Sequence, residues 1–377
     1  MTTGGMGGGM GGGMGGGMGR LLTVVGARPQ FVKAMPVSRA IARAPGLSEI
    51  LVHTGQHHDA ALSDSFFREL GLPEPAENLG IHGGSHGEMT GRMLAALDGV
   101  IARVQPDLVI VYGDTNSTLA AALAAAKSNL PVAHVEAGLR VFDRSMPEET
   151  NRVVVDHLSR LLFAPTRAAV GHLAREGLIE GVHHVGDVMQ DAVLAMAALP
   201  VAGQGILARL GLVPRAYAVA TLHRAAVTDS AAALAAAIGY LRQQARRLPV
   251  VLPLHPRTRE AAARFGVDLS GLTIIDPLGP LDMQRLLAGC AAVFTDSGGL
   301  QKEAYFHRKP CVTLRDDTEW SETVDAGWNR LWTVADYRPR REIDDYGAGD
   351  AAERIVQTIT RFLATNTASV AATGAKA

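Results

Sequence analysis

Ten short β-rich runs recur along the chain, and stretches of helical character separate them. The first half contains "LLTVV", "EILVHT", "DLVIVYG", "PVAHV" and "LLFAP"; the second contains "AYAVATL", "PVVLPL", "LTIID", "AAVFTD" and "PCVTL". Between them lie Ala/Leu-rich segments such as "MTGRMLAALDGVIARV" and "AALAAAIGYLRQQARRL". Val-, Ile- and Leu-rich strands without polar alternation belong to parallel sheets covered on both faces. Repeated β-α order then predicts doubly wound sheets. At 377 residues the chain exceeds the size of a single core. The expectation is an α/β protein of two Rossmann-like domains facing a cleft.

The pattern breaks between Pro200 and Pro214, which places the boundary there. Residues 1–19 read as a Gly/Met-rich disordered extension, because glycine-rich chain has nothing to bury. Residues 20–200 form the first domain and 201–363 the second, with the last amphipathic helix free to return to the first. Residues 364–377, Ala/Thr-rich, read as a flexible tail. No apolar run reaches the roughly 20 residues that span a membrane. A net charge of −1 gives no electrostatic basis for nucleic-acid binding, so an anionic ligand needs a local cluster. The two cysteines, Cys290 and Cys311, form neither a disulfide framework nor a metal spacing. They point to a reducing compartment.

In doubly wound sheets, ligands bind beyond the carboxyl ends of the strands. There "GARPQFVK" places Gly26 for a tight turn, Arg28 at a strand end and Lys33 on the following helix. No GxGxxG follows a strand, so nicotinamide and flavin cofactors are unsupported. Asp114 in "YGDTNST" either caps the next helix or works in catalysis; Thr115, Asn116 and Ser117 are equally able to cap. Glu136 in "HVEAG" leaves a buried strand, where a carboxylate is rare unless paired or used. Glu148 and Glu149 follow a short loop later, with Arg140, Arg144 and Arg152 nearby. His223 with Arg224, and His255 with Arg257, end two strands of the second half and point to anion recognition. In "VFTDSGGLQKEAYF", a strand ends at Asp296, and Ser297, Gly298 and Gly299 open a helix. Paired glycines and a helix N-terminus suit a diphosphate, with Glu303 one turn on to accept from ribose hydroxyls.

Together "VVGARPQFVK", "TGQHHD", "YGDTNST", "HVEAGLR", "MPEETNR", "PLHPRT", "TDSGGLQKEA" and "LRDDTEW" resemble the non-hydrolysing UDP-N-acetylglucosamine 2-epimerases, from about Leu21 to Leu363. The resemblance implies the two-domain fold of the glycosyltransferase-B type. It implies interconversion of UDP-GlcNAc and UDP-ManNAc through elimination of UDP, a 2-acetamidoglucal and re-addition, in the service of surface-polysaccharide synthesis. It assigns Asp114, Glu136 and Glu148 to acid–base work, with Arg152 and His223 beside them. It assigns Arg28, Lys33, His223, Ser297, Gly298, Gly299, Glu303 and Arg315 to UDP, and Gln56, His57 and Arg92 to a second, activating site. A UDP-sugar substrate, a homodimer, a cytoplasmic location, no cofactor and no metal complete the expectation.

Several motifs depart from the commonest family pattern. Gln30 stands where Glu is frequent, "TEWSET" where "TERPE" is, and Pro280 where an aromatic is. "RPQF", "TNST", "RSMPEE" and "TEW" look closer to the branch acting on UDP-2,3-diacetamido-2,3-dideoxyglucuronate, with Arg144 as a partner for the carbon-6 carboxylate. A glycosyltransferase of the same fold is a further alternative.

Overall fold

The computed structural model describes residues 19–56, 67, 69–199 and 205–374. Its first sheet holds β1 (Gly19–Val25), β2 (Leu47–His53), β3 (Glu77–Asn78), β4 (Leu108–Tyr112), β5 (Val132–Val135), β6 (Leu161–Ala164) and β7 (Val182–His184). Their spatial order is β3-β2-β1-β4-β5-β6-β7. The second sheet holds β8 (Ala218–Thr221), β9 (Val250–Pro253), β10 (Thr273–Ile275), β11 (Ala292–Thr295), β12 (Cys311–Thr313) and β13 (Asn329–Leu331), in the order β10-β9-β8-β11-β12-β13. All pairings in both sheets are parallel. Each of the ten β-rich runs is a strand. The three others, β3, β7 and β13, are two or three residues long, too short to leave a hydrophobic pattern.

Burial on both faces explains why the strands lack polar alternation. Leu21 and Val25 of β1 pack into one core with Ile110 and Phe163, while Leu22 and Val24 pack into another with Val109 and Val111. Successive side chains point to opposite faces, and both faces are covered.

In each sheet the strand order reverses beside its first strand, between β1 and β4 and between β8 and β11. Open α/β sheets bind ligands at such reversals, because the two crossover helices diverge there and leave a crevice. At the first reversal, a Cβ on Gly26 would run into Ser117 Oγ and Thr54 Oγ1. Only glycine lets β1 end so close to the helix Asn116–Lys127. The requirement is this close approach, while the turn itself is ordinary.

The final helix, Ala351–Gly374, sends Ala351, Ile355, Ile359 and Leu363 into the core of the first lobe. Asp191 seats its N-terminus, accepting from Ala352 N at 2.8 Å and Ala351 N at 3.3 Å. The helix continues to Gly374, through the segment from residue 364 that the sequence reading leaves as a tail. Alanine, frequent in this segment, has the highest intrinsic helix propensity. The domain boundary near Pro200, residues 1–18 and His57 lie outside the described residues.

Candidate active site

Between the lobes lies a cleft of about 1010 Å³. The first lobe lines it with Arg28, Lys33, Asp114, Glu136, Glu148 and Arg152. The second lobe contributes His223, Ser297, Gly298, Gly299, Glu303 and Arg315. Twelve residues from well-separated motifs therefore converge on one space.

On the first-lobe side, Thr115 caps the helix Asn116–Lys127, its hydroxyl accepting from Thr118 N at 3.3 Å. The Asp114 carboxylate is thereby released from capping and pairs with Arg152. Arg152 also reaches Glu149 at 2.9 Å. Buried Glu149 in turn accepts from the backbone N–H of Val141 and Phe142, each at 3.0 Å, and so holds the loop that precedes its own helix. Glu148, one residue earlier, points into the cleft and has no ion-pair partner among the described residues.

Glu136 sits at φ 75°, in the left-handed region that residues with a Cβ rarely occupy. Such a conformation costs about 1–2 kcal/mol. It persists because its surroundings fix it: Glu136 N and Ala137 N both donate to Phe163 O at 3.1 Å. Two residues earlier, His134 bonds Asp156 at 2.7 Å and Gly113 O at 2.8 Å, and Asp156 accepts from Gly138 N at 3.1 Å. Glu136 is 8% exposed, and its carboxylate meets two ammonium groups, those of Lys33 and Lys302. Burial alone would push its carboxyl up, but the two lysines outweigh burial and hold it down at about 2. It is an anion at every physiological pH.

On the second-lobe side, Asp296 directly follows β11, fully buried, and accepts from His223 N at 2.8 Å and Arg224 N at 2.9 Å. The two strand ends at the second reversal are thus tied together, with the His223 ring 3.5 Å from Asp296 Oδ1. Ser297 begins the helix Gly298–Phe306, its hydroxyl accepting from Leu300 N at 3.5 Å. Glu303 receives Gln284 Nε2, and Gln284 Oε1 meets His307 Nε2 at 2.7 Å. Burial raises the Glu303 carboxyl and holds the His307 ring down at about 4, so a neutral imidazole donates into this chain. Arg315 and Arg224 converge on Glu319, at 2.8 and 3.2 Å.

The activating-site candidates lie elsewhere among the described residues. Gln56 accepts from Ser117 N and Oγ at 3.1 and 2.7 Å, and Arg92 donates to the carbonyls of His82 and Gly83; neither lines the cleft. His255 and Arg257, expected to recognise an anion, also stay outside. His255 caps the helix Pro256–Phe265, and Arg257 pairs with Asp229 at 2.8 Å. Arg144 is exposed and does not line the cleft, whereas Pro280 does.

Sequence reasoning passed over Lys302, Asp187, Gln284 and Glu319. Lys302 and Glu319 stand inside quoted motifs, yet nothing local marks a buried lysine. Among the described residues, no three or more His, Cys, Asp or Glu side chains gather as metal ligands, and no helix is long and apolar enough to cross a membrane.

Residues 39–360 match the family described as UDP-N-acetylglucosamine 2-epimerase. The chain belongs to that family. It is an isomerase. A Pseudomonas aeruginosa relative, UDP-2,3-diacetamido-2,3-dideoxy-D-glucuronate 2-epimerase, is 48% identical over 359 residues, covering 91% of this chain and 100% of its own. A Methanococcus maripaludis UDP-N-acetylglucosamine 2-epimerase homolog is 43% identical over 357 residues, covering 90% of this chain and 99% of its own. Among solved structures, the Methanocaldococcus jannaschii UDP-GlcNAc 2-epimerase in complex with UDP-GlcNAc and UDP superposes with a TM-score of 0.81. Its sequence is 37% identical, and the match covers 91% of this chain and 99% of that one. Two parallel-sheet lobes around a cleft are the architecture this epimerase chain shares with it.

Proposed function

We propose that the chain inverts carbon-2 of a UDP-linked 2-acetamido sugar, interconverting UDP-GlcNAc and UDP-ManNAc without releasing free sugar. The observation that carries this reading is the convergence of Asp114, Glu136 and Glu148 opposite the glycine turn Ser297–Gly299 across one cleft. The carbon-2 proton is not next to a carbonyl, so direct deprotonation and return is unfavourable. Elimination avoids the problem. A carboxylate takes the carbon-2 proton, the C1–O bond breaks, and UDP departs with the electron pair to leave a 2-acetamidoglucal. Re-addition of UDP to C1, with a proton delivered to the opposite face of carbon-2, completes inversion.

This route needs acids and bases on one wall and an anion holder on the other. Asp114, Glu136 and Glu148 are the proton-transfer groups, and Arg152 orients Asp114. The helix N-terminus at Gly298 and Gly299 cradles the diphosphate, with Arg28, Lys33, His223 and Arg315 around it. Glu303, aimed by Gln284, accepts from the ribose. Retaining both fragments requires a closed cleft.

A second reading, epimerisation of UDP-2,3-diacetamido-2,3-dideoxyglucuronate, is favoured by the relative of that name at 48% identity. Incubation of each UDP-sugar in deuterated water decides between them. The true substrate gains carbon-2 deuterium together with its epimer, and absence of exchange with both sinks the elimination route. A cytoplasmic homodimer supplying surface-polysaccharide synthesis belongs to the same proposal. Buried free Cys290 and Cys311 fit a reducing compartment, and light scattering at twice the chain mass tests the dimer.

A further inference from the structure

Lys302 projects from the second-lobe helix Gly298–Phe306, one turn past the glycines, yet it ends among first-lobe carboxylates. Its side chain is 1% exposed. The ammonium donates to Glu136 Oε1 at 3.0 Å and to Asp187 Oδ2 at 2.6 Å, and it lies 3.9 Å from the centre of the Trp320 ring. An ammonium has three donors, so two carboxylates and an aromatic face satisfy it fully. Asp187 is itself fixed, because its other oxygen accepts from Met189 N at 2.8 Å to cap the helix Val188–Ala197.

We propose that Lys302 is a positioning residue for epimerisation, holding the Glu136 carboxylate charged and in place across the cleft and so joining the nucleotide-binding lobe to the acid–base lobe. The proposal rests on the reading of Glu136 as a proton-transfer group.

The charges around Glu136 come from several elements. Lys33 approaches from the helix Arg28–Arg43 and Lys302 from Gly298–Phe306. Asp187 shares Lys302, while Glu303 beside it and Glu322 on Ser321–Asp325 feel the same ammonium. Lys33 lines the cleft, where an incoming diphosphate competes for it. Lys302 also borders the cleft, but it is buried and committed to Asp187 as well as to Glu136, so its hold survives substrate binding. Removing one cation from a buried carboxylate raises its pKa by one unit or more, on the order of 1–3 units. A base must be ionised to accept the carbon-2 proton, so the acid limb of the kcat profile moves to higher pH.

The test is the pH dependence of kcat for Lys302→Met, with UDP affinity measured by calorimetry. The expected result is an acid limb displaced upward by at least about one pH unit, with UDP affinity within about 3-fold of the native protein. Lys302→Arg restores the charge and returns the limb toward its original position. If Lys302→Met does not fold, the double variant Lys302→Met/Asp187→Asn removes a cation and an anion together; the acid limb should still move upward, by less, because the lost anion partly offsets the lost cation. A limb unmoved in the folded Met variant, or displaced equally by Lys302→Arg, overturns the proposal. Failure of the parent reading has a different signature: Glu136→Gln would then turn over normally.

Discussion

Gly298 and Glu319 stand face to face: a Cβ on the glycine would fall well inside contact distance of Glu319 Oε1. Glu319 cannot easily withdraw, because Arg315 and Arg224 grip its carboxylate from two sides. Gly298→Ala therefore overpacks the turn, at about 1–3 kcal/mol of folding stability. It should also weaken UDP binding by ~10-fold or more, since the backbone N–H groups there can no longer approach the diphosphate. Calorimetry reads both; UDP affinity unchanged in the alanine variant would remove the turn from the binding site.

Glu136→Gln keeps the shape of the side chain but removes its charge and its capacity to take a proton. Turnover should fall by ~10²-fold or more while UDP affinity survives. Steady-state kinetics at saturating UDP-sugar make the comparison. Normal turnover would transfer the role to Asp114 or Glu148.

Glu303→Ala should act on binding first. A hydrogen bond to a charged group contributes about 1.5–3 kcal/mol, which corresponds to ~10–100-fold in UDP affinity. Gln284→Ala, which frees Glu303 from its support, should show a smaller loss in the same direction. Equal UDP affinity in native and Glu303→Ala protein would contradict the ribose contact.

Asp191 gives the fold a pH dependence that can be signed. Burial raises its carboxyl to about 6, against the partial opposition of the Ala352 and Ala351 N–H groups. The folded state binds its proton more tightly than the unfolded chain. Its contribution therefore falls as pH rises from the ordinary value of 3.8 through about 6. Relative to Asp191→Asn, the native protein should gain up to roughly 3 kcal/mol on going from pH 7 to pH 4. Glu136 acts oppositely. Its depressed carboxyl contributes stability above 4.5 that is lost as pH falls toward about 2. Urea denaturation of the native and Asn proteins at several pH values would test the sign; a pH-independent difference would remove Asp191 from this role.

The sequence by itself determined the two parallel sheets and the strand-end sites. Unbroken apolar runs are what a strand covered on both faces requires, and Arg28, Asp114, Glu136, His223 and Ser297, which line the cleft, follow those runs within three residues. It left Asp114 ambiguous between cap and catalyst until Thr115 proved to be the cap. It did not separate His223, which enters the cleft, from His255, which caps its own helix. It passed over Lys302, whose neighbours Glu136 and Asp187 lie 166 and 115 positions away. Burial of a charge is tolerable only where distant partners neutralise it, and those partners meet only when two independently wound sheets close on each other. Local pattern sets elements and the residues at their ends; which charges face one another across the cleft was decided by the packing of one lobe against the other.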